Sequence, residues 1–195
     1  MYPGESAGPI LPLQVVQAMT ALKLQVLQDF EETDGAVKRF AGDEYLFEGP
    51  GTYIPRKEVT VVSTVESTII YNNEALKMRA VRSTVDRDGV NRVAGEEWMV
   101  RKTGPYLPGV YEKVVEKIKA TILTDTVAVH VVAKQGFKDQ LGKTRKNGEE
   151  YLITHKDMET FIPDVHEQVK EEVSLISASV LPPLFCGTEK HVFRL

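Results

Sequence analysis

Apolar and polar residues alternate strictly in Leu22-Lys23-Leu24-Gln25-Val26, and two later segments match it: Leu76-Lys77-Met78-Arg79-Ala80 and Val129-His130-Val131-Val132-Ala133. A period of two places alternate side chains on opposite faces, as a half-buried strand requires. The inward positions align as 22/76/129 and 24/78/131, with steps of 54 and then 53 residues. A polar turn follows each strand: Thr33-Asp34-Gly35, Asp86-Arg87-Asp88-Gly89, and Gln140-Leu141-Gly142-Lys143. Asp-Gly favours a tight hairpin because glycine tolerates positive φ.

A returning strand is predicted next, opened by an acidic phrase that occurs three times: Gly42-Asp43-Glu44-Tyr45-Leu46-Phe47, Gly95-Glu96-Glu97-Trp98-Met99-Val100 and Gly148-Glu149-Glu150-Tyr151-Leu152-Ile153. Its aromatic recurs at 45, 98 and 151, a step of 53 residues both times. Second turns are expected at Gly49-Pro50-Gly51, Thr103-Gly104-Pro105 and His155-Lys156-Asp157. An aromatic-aliphatic-proline triplet then closes each phrase: Tyr53-Ile54-Pro55, Tyr106-Leu107-Pro108 and Phe161-Ile162-Pro163. A fixed period in this range marks an internal repeat.

The segment after each proline is ambiguous on periodicity. Val110, Val114 and Ile118 fall at i, i+4 and i+8, which suits an amphipathic helix. The equivalent Val59-Thr60-Val61-Val62-Ser63-Thr64-Val65 is rich in β-branched residues and poor in helix formers. Equivalent positions of a repeat share a fold, so strands are predicted in all three, including the helical-looking 165–176. The fold class is therefore all-β, a tandem of small antiparallel β-sheet repeat domains of 53 residues or so.

The expected boundaries are 13–67, 68–120 and 121–175 for the three repeats. Residues 1–12 are expected to be the tail of a preceding repeat, and 176–195 the start of a truncated further one. Leu184-Phe185-Cys186 would open that last unit, with Cys186 at the inward position of Leu24 and Met78. On spacing alone, the chain reads as a section of a longer array.

Composition removes several function classes. The chain has 195 residues, a formal net charge of −4 and 27% charged residues. No basic excess points to nucleic acid. No apolar run approaches the ~18 residues that span a bilayer, and the N-terminus lacks the basic and apolar regions of a signal peptide. A single cysteine leaves no intramolecular disulfide framework. A cytoplasmic protein without nucleic-acid or membrane partners is expected, and a unit of this size is marginal alone, so it should share surface with its neighbours.

Candidate chemistry fares poorly. Asp86-Arg87-Asp88-Gly89 resembles part of a calcium loop, but with Gly89 at the sixth position the first and twelfth ligands would be Thr84 and Gly95. The pairs Glu96-Glu97 and Glu149-Glu150 would point to opposite faces of a strand and could not converge on one substrate. His130, His155, His166 and His191 lack metal-ligand spacing. His130 replaces Lys23 and Lys77 at an outward position, where exposure is expected. Trp98 could stack on a base or sugar, yet its equivalents Tyr45 and Tyr151 favour packing. No phosphate loop or serine elbow occurs. The chain is read as no enzyme, with no catalytic, cofactor-binding or metal residues and no cofactor.

The run from Gly42 to Val59, together with Pro12-Leu13-Gln14-Val15-Val16 and the stretch Gly148 through Glu167, strongly resembles the N-terminal repeats of the major vault protein family. The likeness extends from about residue 2 to about residue 173. The resemblance implies a structural role: family members stand side by side as the wall of a hollow ribonucleoprotein particle, found in the cytoplasm and also the nucleus. It implies other copies of the chain as partners, and it brings in a second reading, a docking module for the poly(ADP-ribose) polymerase that vault shells carry on their inner face. The family's shoulder and cap helix are not in this sequence, so a closed particle is not expected from it alone. Leu175–Leu195 fits the family poorly. Arg56, Lys57, Glu58, Arg101, Lys102, Lys143, Arg145 and Lys146 are the charges expected to meet acids of the next copy.

Overall fold

The computed structural model describes residues 12–32 and 37–175. Among them are 21 strands and no helix, in a cycle of seven that runs three times. The first cycle comprises β1 (Gln14–Val16), β2 (Thr20–Val26), β3 (Phe30–Glu31), β4 (Lys38–Arg39), β5 (Glu44–Glu48), β6 (Gly51–Tyr53) and β7 (Val59–Glu66). The second comprises β8 (Thr68–Ile70), β9 (Glu74–Ala80), β10 (Thr84–Val85), β11 (Asn91–Arg92), β12 (Glu97–Val100), β13 (Gly104–Tyr106) and β14 (Glu112–Lys119). The third comprises β15 (Thr121–Ile122), β16 (Val127–Ala133), β17 (Phe137–Lys138), β18 (Thr144–Arg145), β19 (Glu150–Ile153), β20 (Thr160–Phe161) and β21 (Glu167–Ser174).

The second strand of each cycle is the centre of a three-stranded sheet, in the orders β5-β2-β7, β12-β9-β14 and β19-β16-β21. The first and sixth strands pair, and the third and fourth form a small hairpin. The pairing is antiparallel and holds the same rungs in each cycle. Leu24 faces Tyr45, Met78 faces Trp98 and Val131 faces Tyr151. Aromatic–aliphatic pairs of this kind are a main source of sheet stability, at about 0.2–1 kcal/mol each. All six inward positions expected from the alternation are buried.

Alternation alone underestimates the burial. Ala21, Ala75 and Ala128 have the opposite parity and are nonetheless fully buried. Their methyl groups are short enough for both faces of the strand to be covered there. The segments β7, β14 and β21 are strands, as expected. A spacing of four is a multiple of two, so Val114 and Ile118 fit β14 as well as a helix, while Val110 lies in the turn before it; all three are half-buried. β7 and β21 each carry a bulge against the central strand, between Lys23 and Leu24 and between His130 and Val131. Val62 and Lys170 are the extra residues. A bulge bends the strand and increases its twist, which blunts it as a pairing edge.

One turn differs from expectation. Gly104 and Pro105 lie in β13, a member of a two-stranded pair where proline's missing N–H is tolerated. The turn Thr33-Asp34-Gly35, the tail 1–11 and the proposed fourth unit with Cys186 and His191 lie outside the described residues.

The chain divides into two compact units. The first takes the described residues of Met1–Ile69, Ala80–Gly95 and Gly104–Lys113; the second takes those of Ile70–Arg79, Glu96–Thr103 and Val114–Leu195. The first has a core of Val16, Leu22, Leu24, Tyr53 and Val59, with Phe30, Tyr45, Phe47 and Val61 packed on it. In the second, Leu123, Val129, Val131, Ile153 and Phe161 cluster with Tyr151, Met158 and Val169.

Candidate functional site: a repeated frame of carboxylates

Acidic side chains organise the same points of each cycle. In the hairpin of the second, the Asp86 carboxylate accepts hydrogen bonds from the amides of Asp88 (3.0 Å) and Val90 (2.8 Å) and from Arg92 Nε (2.8 Å). Asp139 repeats this with the Lys143 amide (2.7 Å) and Arg145 Nε (2.8 Å). Burial works against the charged form of Asp86, but the Val90 amide and Arg92 outweigh it and hold the carboxyl below its ordinary range. Asp86-Arg87-Asp88-Gly89 is thus a hairpin turn closed by its own amides, with Gly89 at φ 81°. The first cycle replaces this aspartate by Glu32, which binds Arg39 Nε at 3.0 Å.

The acidic phrase splits its two carboxylates as strand geometry demands. Its first acid caps the turn before it: Asp43 accepts from the Phe40 amide at 2.9 Å, and Glu149 from the Lys146 amide at 2.9 Å. Its second reaches across to the central strand, in the pairs Lys23–Glu44 (2.8 Å), Lys77–Glu97 (2.7 Å) and His130–Glu150 (3.0 Å). Lys77 and Arg79 hold Glu97 below the usual carboxylate range, and Lys170 does so for Glu150. Exposure of His130 was expected from its outward position. Its side chain is only 12% exposed, because Glu150 on one neighbouring strand and Glu171 on the other both approach the ring.

A buried acid opens the last strand of the second and third cycles. Glu112 accepts from Tyr106 Oη (2.7 Å) and the Gly109 amide (2.9 Å); Glu167 accepts from Tyr151 Oη (2.7 Å) and the Asp164 amide (2.7 Å). Burial, then the adjacent carboxylate, pushes both phenols well above the ordinary tyrosine range. The first cycle has Val59 at this position.

Two cation contacts tie one cycle to the next, with their signs exchanged. Arg87 reaches Glu48 at 2.7 Å and donates to the Leu107 carbonyl at 3.1 Å. At the position equivalent to Glu48, Arg101 donates to the Ile162 carbonyl at 3.3 Å and meets Asp164 at 3.4 Å. Arg145 is also engaged within the chain: Asp139 and Glu149 bind it, and its guanidinium lies 3.8 Å from the Tyr151 ring centroid. Arg101 and Arg145 therefore leave the set of charges expected to reach a neighbouring copy.

The remaining candidates have structural employment. Trp98 is buried opposite Met78. His155 Nδ1 lies 3.1 Å from the Leu123 carbonyl, and His166 meets Gln135 at 2.7 Å beside the Phe137 ring. Among the described residues, no group of three or more His, Cys, Asp or Glu is placed to hold a metal ion, and no helix is long and apolar enough to cross a membrane. The acidic network orders strands and turns. Sequence reasoning placed Asp86 in a hairpin turn without its pairing to Arg92, and missed Asp139, Glu112 and Glu167. The two aspartates were signalled by an Arg six residues later in both cycles; the two glutamates left no trace, since Val59 occupies the same place.

Exposed apolar side chains recur at equivalent positions of the cycles. Val15, Ile69 and Ile122 sit at one position of the cycle and are 77%, 49% and 64% exposed. Around the small hairpin, Leu27, Val37 and Phe40 in the first cycle and Val81, Val90 and Val93 in the second are exposed. The third cycle has Lys134, Lys143 and Lys146 at these positions, all exposed.

The family model of the Major Vault Protein repeat domain matches the chain three times, over residues 14–56, 68–109 and 121–164. Each match runs from the first strand of a cycle to just past the sixth. The chain is 53% identical over 174 residues to the major vault protein of Gallus gallus, an alignment covering 89% of this chain and 20% of that protein. It is 55% identical over 170 residues to the major vault protein of Strongylocentrotus purpuratus (87% and 20%) and 52% identical over 182 residues to major vault protein beta of Dictyostelium discoideum (91% and 21%). It thus spans about a fifth of the length of these curated relatives. Three matched repeats, each built on the same three-stranded sheet, place this chain in the major vault protein repeat family.

Proposed function

We propose that the chain is a structural segment of a vault particle wall, standing side by side with other copies of itself in the cytoplasm and also in the nucleus. The observation that carries this is the threefold match to the vault repeat. It is supported by a site made of strand-ordering carboxylates and by Val15, Ile69 and Ile122, one exposed aliphatic side chain at the same position of each repeat. The repeats themselves are proposed to run 13–67, 68–120 and 121–175, so that each includes the strand that follows its matched segment. Arg56, Lys57, Lys102, Lys143 and Lys146, all exposed, and the half-buried Glu58 remain as charges for a neighbouring copy, and such contacts count only when summed along an array. Light scattering across concentration and salt, with negative-stain imaging, tests the reading. Rings, sheets or concentration-dependent oligomers support it; a strict monomer at high concentration and low salt overturns lateral contact by this segment.

A second reading rests on the uneven apolar surface. Exposed aliphatic and aromatic residues concentrate around the hairpins of the first two repeats, and lysines replace them in the third. Concentrated apolar surface marks interaction sites, which suits a docking module for another protein, such as a vault poly(ADP-ribose) polymerase. Pull-down of that enzyme by this chain, lost on Phe40→Lys and Val93→Lys, would favour docking over wall packing.

A further inference from the structure

The glycine that opens the acidic phrase is held in the same way each time. Gly42, Gly95 and Gly148 adopt φ of 95°, 85° and 78°. Each donates its amide to the last residue of the central strand, Val26, Ala80 or Ala133, at 2.8 Å. The residue before it differs: Ala41, Ala94 and Asn147. Of the four asparagines in the chain (72, 73, 91 and 147), only Asn147 precedes a glycine. It is exposed, in a turn closed by the Glu149 amide on the Lys146 carbonyl at 3.1 Å.

We propose that Asn147 is a site of spontaneous deamidation through a cyclic imide with Gly148, and that the hydrogen bond from the Gly148 amide to Ala133 sets its rate. The Gly148 nitrogen attacks Asn147 Cγ, forming the N–Cγ bond. The Cγ–Nδ2 bond breaks, and ammonia leaves with the former amide proton of Gly148. Water then opens the ring at either carbonyl, giving aspartate or isoaspartate. No oxidant or second reactant is needed. Glycine favours the attack because no side chain shields its nitrogen, and around Gly148 the space is open: a Cβ there would meet nothing within 4 Å. In the native chain the same nitrogen is committed to Ala133, so reaction waits for this end of β19 to open.

The product would act on the third repeat alone. Isoaspartate at 147 lengthens the backbone by one methylene just ahead of Gly148, one residue before Glu149 and Glu150, which engage Arg145 and His130. Modification would loosen the strand order that those contacts fix.

The test is peptide mapping of the full chain after prolonged incubation at neutral pH, folded and in urea, with isoaspartate detected by enzymatic methyl transfer. In urea, Asn147 should convert ahead of Asn72, Asn73 and Asn91. In the folded chain its conversion should be at least about tenfold slower, the factor that an opening free energy of about 1.4 kcal/mol imposes. Asn147→Ala, which restores the residue found at 41 and 94, should abolish the signal without unfolding the repeat. Absence of conversion at Asn147 in urea would overturn the site. Equal rates in the folded and unfolded chain would overturn control by the Gly148 hydrogen bond.

Discussion

Tyr106 donates its phenol proton to Glu112 across 2.7 Å, whereas the equivalent Tyr53 is followed at the equivalent place by Val59. The Tyr53 hydroxyl is consequently buried without a hydrogen-bond partner of ordinary geometry, although the Arg56 amide lies close enough to oppose the effect of burial on the phenol. One repeat thus carries an unsatisfied hydroxyl where the next carries a charge-assisted bond. An unsatisfied buried donor costs about 1–3 kcal/mol, and a bond to a charged group contributes about 1.5–3 kcal/mol. Tyr53→Phe should leave stability unchanged or raise it by up to about 1 kcal/mol. Tyr106→Phe should lower it by about 1–3 kcal/mol. Urea denaturation of both variants checks the contrast, and equal effects would refute it.

Asp139 should matter more than an ordinary turn residue. Asp139→Ala removes the acceptor for the Lys143 amide and leaves Arg145 with Glu149 as its carboxylate partner beside the Tyr151 ring. A loss of about 2–4 kcal/mol is expected, from one broken charge-assisted network with a buried guanidinium. Asp139→Asn should recover part of it. Thermal melts read the difference.

The acidic frame sets the response to pH. Asp86, Glu97, Glu149 and Glu150 all have carboxyls held below their ordinary range in the folded chain. A folded pKa below the unfolded one contributes stability that is complete above the unfolded value, about 4, and is lost as pH falls through the folded value. Stability should therefore be level from neutral pH down to about 5 and decline below about 4. Glu97→Gln should flatten the acid limb of a denaturation-midpoint series. An unchanged limb would remove Glu97 from the account.

Arg101 and Asp164 make a partly exposed pair, so its worth is small. Arg101→Glu should cost about 1 kcal/mol or less. Combining it with Asp164→Lys should restore most of the loss, and a double-mutant cycle measures that coupling. Additive effects would mean that the Ile162 carbonyl, not Asp164, is what Arg101 serves.

Much of the fold could be read from the chain because three copies of one pattern correct one another. Val114 and Ile118 alone could not separate helix from strand, but Val59–Val65 could. Positions 22/76/129 and 24/78/131 were legible because burial on one face imposes a period of two. Ala21 and its equivalents were not, since an alanine reads the same whether its outer side is covered or open. The candidate site was less legible. Which acid of Glu149-Glu150 caps a turn and which crosses to His130 follows from strand parity, but that Arg145 closes on Asp139 depends on where the hairpin brings its two sides. The burial of Glu112 depends on Tyr106 meeting it from another strand, and no local spacing records that.

The strands β7, β14 and β21 lie after the segments that match the family model, yet each completes the sheet begun inside its segment. A unit cut at the edges of a matched segment would keep two of the three strands and leave one flank of the central strand open. The segment that follows need only supply a backbone to the strand beside it, and its side chains differ accordingly: Thr-Val-Val-Ser in β7 stands where β14 has Lys-Val-Val-Glu.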